Sequence, residues 1–173
     1  MIGWQHRRVR RNGLIGVALG AAATVSIFAV AAAGSDSTGD EAPTGIYEMS
    51  AEALDAVRAL TAGYPAPADA VAGGRIDVGL CFDQMGHHYA DPATFGDGVL
   101  DAAEPEAFVY AEVDGEQQLV AVEWVSTSPG EVLGIPLHLQ HDLDVWILHA
   151  WVGLDNPAGV LADHHPDLGT CPS

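Results

Sequence analysis

The sequence predicts an α+β domain in which an N-terminal helix packs on a small, mainly antiparallel sheet, with long loops and one disulfide. Three observations carry that expectation. In YEMSAEALDAVRALTAGYP (47–65) the apolar residues Met49, Ala53, Val57 and Leu60 recur at helical spacing. AFVYAEV (107–113) and QLVAVEWV (118–125) each alternate with a period of two around DGEQ, which is a hairpin signal. DVWILHAWV (144–152) is rich in the β-branched and aromatic residues that suit a strand.

Taken in order, the chain begins with HRRVRRN and an uncharged apolar run from Gly13 to Gly34. Arginines ahead of such a run mark an export signal, with the basic end held in the cytoplasm. Residues 1–34 therefore read as a signal peptide or a transmembrane anchor: roughly 20 apolar residues can span a bilayer, whereas Ala-Val-Ala (29–31) and Ala-Ala-Ala (31–33) fit a cleavage site. Residues 35–46 are small, polar and punctuated by Pro and Gly, as in a linker, and 47–173 form the exported domain. Within it, Ser50 is placed to cap the helix and Gly63 to end it. IDVGLCF (76–82) reads as a short strand, and 83–106 and 127–143 as long loops. In the second hairpin strand Leu119, Ala121, Glu123 and Val125 share one face; in the last strand Val145, Ile147, His149 and Trp151 do.

Charge limits the partners. All 24 acidic residues lie at Asp36 or later, and only Arg58 and Arg75 follow them as bases, so the part after the leader carries 2 − 24 = −22. Such a field repels phosphate backbones and excludes nucleic acid. No lysine is present, which removes Schiff-base chemistry and the GxxxxGK[ST] phosphate loop. The expected location is the extracytoplasmic face of the membrane or the exterior. In that oxidising setting the two cysteines, Cys81 and Cys171, are expected to form a disulfide.

Two polar residues interrupt apolar strand faces: Glu123 in LVAVEWV and His149 in WILHAW. Buried unpaired, either would be costly, so each needs a partner. If their strands are neighbours the two meet, and His88 of MGHHY (85–89) closes over them from its loop, while His87 reads as an exposed neighbour. Two histidines and a carboxylate form a recurrent site for zinc, copper or iron; a Glu–His hydrogen bond alone is the bland alternative. His138 and His141, an HxxH beside Asp142 and Asp144, are auxiliary metal candidates, and His164 and His165 read as solvated. A GxSxG nucleophile and a calcium loop are both missing from the sequence.

Cys81, MGHHY, PEAFVYAE (105–112), LVAVEWV, LHAW (148–151), DNPAGVLA (155–162) and the near-terminal Cys171 together resemble a family of uncharacterised secreted bacterial proteins. Its pattern is Met-Gly-x-His-Tyr, a Val-Glu-Tyr strand and Leu-His-x-Trp followed by Asn-Pro-x-Gly. The resemblance puts His88, Glu123 and His149 on the motif positions and implies no substrate. Trp124 departs from the family's tyrosine, and DHHP (163–166) from its aromatic-Asn-Pro tail.

The function expected is an exported or membrane-tethered domain of unknown function that holds a divalent transition metal through His88, Glu123 and His149. Two alternatives stand beside it. One is a metal-dependent hydrolytic or oxidative enzyme using the same cluster. The other is a metal-free structural or oligomer-forming envelope protein whose partner is a second copy of the chain.

Overall fold

A computed structural model describes residues 47–171. The leader (1–34) and the linker (35–46) lie outside the described residues. Among the described residues, no helix is long and apolar enough to cross a membrane.

The helices come first. α1 (Ala51–Thr61) starts where Ser50, in extended conformation, accepts the Ala53 N–H on its side chain at 3.1 Å. Glu52 sits in the first turn and Arg58 in the last, as the helix dipole favours. α2 (Pro67–Ala72) opens on a proline whose missing N–H costs nothing there, and Asp69 accepts the Ala66 N–H at 3.0 Å.

The rest is a curled antiparallel sheet. β1 (Ile76–Phe82), β2 (Gly86–Ala90), β3 (Ala107–Val113) and β4 (Glu116–Ser126) follow one another as neighbours. A small hairpin, β5 (Glu131–Val132) and β6 (Ile135–Pro136), stands apart. β7 (His138–Gln140) and β8 (Val145–Trp151) complete the order β1-β2-β3-β4-β8-β7. The two expected loops are therefore corrected: 83–106 contains β2, and 127–143 contains β5, β6 and β7. GHHYA lacks an alternating apolar pattern, and its strand exists because β1 and β3 both pair with it. Gly86 permits this: its φ is +130°, and a β-carbon there would collide with the Tyr110 carbonyl.

The β3–β4 turn is Asp114–Gly115, both at positive φ, as a tight two-residue hairpin requires. Further along, Val109 pairs with Ala121 but Tyr110 pairs with Leu119, so Val120 is a bulge. This corrects the expected strand face. Leu119 moves into the core with Val122 and Trp124, and Val120 joins Ala121 and Trp151 on the opposite face.

Each face carries a packed cluster. One packs Phe108, Tyr110, Trp124 and Leu148 with Met49 and Val57 from the helical segment. The other carries Met85, Val109, Ala121 and Trp151 beneath Leu154 and Leu168 of the C-terminal segment. That segment has no regular structure, so side chains and backbone ties hold it. Trp151 N–H donates to the Val160 carbonyl at 2.8 Å, His165 N–H to Gln84 at 2.8 Å, and Gln84 N–H to Gly169 at 2.9 Å. The Cys81–Cys171 disulfide closes it.

Two outcomes are expected from this packing. Replacing both cysteines by alanine releases a loop closed over a sequence separation of 90 residues. Loop-closure entropy makes that loss about 4 kcal/mol, read as a lower urea midpoint under non-reducing conditions. The second concerns Glu106, which is buried at the start of β3 and accepts the Val125 N–H at 2.9 Å. Burial outweighs that bond and pushes its carboxyl up to about 7 from an ordinary 4.5. The folded chain then holds more protons than the unfolded one between those values, so stability falls as pH rises through that window. Glu106→Gln should gain roughly 1–3 kcal/mol on the wild type between pH 5 and pH 8, measured by denaturant melts at both.

Candidate functional site

Strand register places the three expected residues on one face. Glu123 of β4 stands directly opposite His149 of β8. On its other side Glu123 faces Ala107 of β3, which in turn faces Ala90 of β2. His88 is two residues along β2 from Ala90, on the same face, opposite Val109. Strands two apart are separated by about 9.6 Å, so His88 and Glu123 meet only by leaning across β3. Small Ala107 and Ala90 leave them room. His88 Nε2 lies 3.4 Å from Glu123 Oε2, and both side chains are buried. The one correction is to the expected approach from a loop: His88 is held in a strand.

The ring of His88 is oriented from behind. Opposite it β1 is irregular: Asp77 pairs with Tyr89 and Cys81 with His87, so Val78, Gly79 and Leu80 span the position of a single β2 residue. The Leu80 carbonyl turns to the ring at 3.4 Å from Nδ1. With the Nδ1 proton on that carbonyl, Nε2 is the nitrogen that faces Glu123. Its contact with the carboxylate is an ion-pair approach without hydrogen-bond alignment. Phe82 meets the same ring edge-on, with centroids 5.3 Å apart.

Charge at this point is balanced by pairing. Burial alone would push His88 down, but attraction to the Glu123 carboxylate overrides it and leaves the imidazole above its ordinary value. Burial would likewise raise Glu123, and His88 holds it below the usual carboxylate range. His149 behaves differently. It is fully buried, and desolvation keeps it below its ordinary value, hence neutral, despite Glu123 across the ladder. Neither of its ring nitrogens has a hydrogen-bond partner. The Ala162 carbonyl, which accepts from Trp151 Nε1 at 2.5 Å, lies near the ring and favours its charged form, but less than burial disfavours it. Trp151 also packs edge-on against the His149 ring, with centroids 4.9 Å apart.

A second His–carboxylate contact extends the cluster. His138 lies on β7 across from Ile147, so it shares the face of His149. Its Nε2 is 3.2 Å from Asp163 Oδ2, again without hydrogen-bond alignment. Asp163 influences the charge states of both Glu123 and His149. It is the residue that sequence reasoning missed. The only available signal was Trp151, whose bonds to Val160 and Ala162 draw residues 160–163 over β8.

Other expectations sort plainly. His141 is exposed and stands apart from its HxxH partner, because 138–140 are extended and the motif never becomes helical. His87 borders a different hollow beside the disulfide, with Cys81, Cys171 and Thr170. His164 is exposed as expected, but the solvated reading of His165 is corrected. His165 is buried against Trp151, with Nε2 at 3.1 Å from the Asp155 carbonyl and Nδ1 accepting the Asp167 N–H at 3.2 Å. Among the described residues, no three histidine, cysteine or carboxylate side chains stand together in the spacing of a formed metal site.

Chemically, the cluster offers a buried carboxylate that demands a cation and imidazole nitrogens free to bind one. A proton on His88 meets the demand in the metal-free chain. The pair then stabilises the fold fully between pH 4.5 and 6.5, the ordinary values of the two groups. Stability is lost as pH falls through the lowered carboxyl and as it rises through the raised imidazole. Glu123→Gln should cost about 3 kcal/mol at pH 5.5 in chelator-treated protein, and should drop the His88 titration midpoint below 6.5 in histidine NMR. An unchanged midpoint would show that Glu123 does not hold the imidazolium. The chain matches no family model, no curated protein and no solved structure.

Proposed function

We propose that this is an exported or membrane-tethered binding domain that holds a divalent transition metal at His88, Glu123 and His149, with His138 and Asp163 at the edge of the same cluster. The observation that carries the proposal is the set of buried imidazole nitrogens without aligned hydrogen bonds around one buried carboxylate. Native proteins pair nearly all such groups, because each one left over costs about 1–3 kcal/mol. Here His88 Nε2 and His138 Nε2 meet their carboxylates without an aligned hydrogen bond, and neither nitrogen of His149 has one.

The spacing of one ligand pair supports that reading. Two ligands on a tetrahedral zinc, each at about 2.0–2.2 Å, stand roughly 3.3–3.6 Å apart. His88 Nε2 and Glu123 Oε2 are 3.4 Å apart. The Leu80 carbonyl on Nδ1 is the kind of outer contact that fixes a ligating histidine's tautomer. Bound there, a metal would supply a fixed positive charge and a Lewis acid. His149, neutral in its buried position, is already in the protonation state that a ligand needs. The export part of the proposal rests on the arginine-led apolar leader and is compatible with the disulfide.

Purified full-length protein loaded with zinc, copper or iron and then desalted should retain about one equivalent by elemental analysis. His88→Ala and His149→Ala should each weaken retention at least tenfold, and His141→Ala should leave it unchanged. Wild-type protein that is folded and metal-free after all three loadings overturns the proposal.

A further inference from the structure

On the face that carries His88 and Glu123 the sheet is not fully covered, and a cavity of about 190 Å³ opens above them. Its walls are Leu80 and Phe82 of β1, Met85, Val125 of β4, and Val145 and Ile147 of β8. Ala90 and Ala107 form the floor beside the ion pair. The irregular stretch of β1 shapes one side, since it pushes Val78 and Leu80 out of the ladder. Three apolar side chains lie exposed at the mouth: Val78, Phe95 and Leu143. Gln140 is the only other polar side chain in the lining.

This is more than a bare apolar hollow. A charged pair, each member at most 6 % exposed, sits on its floor, and the His88 nitrogen that faces Glu123 makes no hydrogen bond. We infer that the cavity binds a small uncharged molecule with an apolar body and one hydroxyl group, the hydroxyl seated on His88 and Glu123. Size, charge and donor pattern each point the same way.

A dry cavity of about 150 Å³ takes a benzene ring, so this one takes roughly seven to nine non-hydrogen atoms. On the floor an imidazole faces a carboxylate at 3.4 Å, so each is already matched by the other and not by an ionic ligand. An anion would meet Glu123 as well as the acidic surface, and an ammonium would meet the cationic side of the pair. A hydroxyl suits both members at once: its oxygen accepts from the imidazolium and its proton goes to the carboxylate. The inference is made for the metal-free chain, in which the proton on His88 is the cation that faces Glu123.

The test uses chelator-treated full-length protein and three single-ring probes of about seven to nine non-hydrogen atoms: 4-methylphenol, toluene and benzoate, titrated by calorimetry and by methyl NMR of Val78 and Ile147. The expected result is saturable binding of 4-methylphenol with shifts at both methyl groups, toluene at least tenfold weaker, and no binding of benzoate. A site that hydrogen-bonds a hydroxyl rejects the analogue without one. Val78→Trp and Leu143→Trp, both at exposed rim positions, should keep the wild-type melting temperature and lose the binding. Failure of 4-methylphenol to saturate, toluene binding as tightly, or unchanged binding in both folded rim variants overturns the inference. Metal content plays no part in the readout. Binding by a chain that retains no metal would sink only the metal proposal, and metal retention without binding would sink only this one.

Discussion

Glu123 is a carboxylate on a central strand, and an uncompensated charge there would cost several kcal/mol. Much of this face of the sheet answers that single demand. His88 leans across β3 to reach it, His149 stands opposite it, and Ala107 and Ala90 are small enough to let the contact form. Apolar residues at Glu123 and His88 would give an ordinary core at least as stable, since buried ion pairs seldom beat good packing. Stability alone therefore does not account for the arrangement.

Two departures from ideal strands make the site possible. The irregular stretch of β1 frees the Leu80 carbonyl to orient the His88 ring, and the same residues wall the cavity. The bulge at Val120 lets β4 bury Leu119 on the helix side and Val120 on the other, so that both ends of a long strand find a core. Bulges often re-aim side chains next to functional sites. Without this one, strict alternation would leave Leu119 on the Glu123 face and shift the packing under Trp151.

The central hairpin and the last strand are legible in the sequence because period-two alternation and an Asp-Gly turn are local signals. The Glu123–His149 register is nearly as legible, since a polar residue in each of two apolar strands calls for a partner. β2 is not, because GHHYA has no apolar rhythm and becomes a strand only through neighbours on both sides. The Val120 bulge is invisible for a related reason: every residue from Leu119 to Val122 is apolar, so no side chain reports a slip between faces. Asp163 lies in an irregular segment whose path is set by Trp151 and by distant ties, and no spacing rule reaches it.

Those ties give the disulfide a second consequence. Cys81 follows Leu80, whose carbonyl sets the His88 ring, and Cys171 ends the segment that carries Asp163 to His138. The same segment is fastened to the β1–β2 turn through Gln84, His165 and Gly169, and the Cys171 N–H donates to Asp83 at 2.8 Å. One covalent bond thus links the strand that orients one histidine to the segment that partners another. The His138–Asp163 contact depends on backbone that the sheet does not hold, and the His88 ring is oriented by the irregular part of β1. In a reducing compartment the sheet would still have its hairpins and its packed helix side, but the elements that aim His88 and Asp163 would lose their shared anchor. Site geometry and redox environment are joined in this chain through the Cys81–Cys171 disulfide.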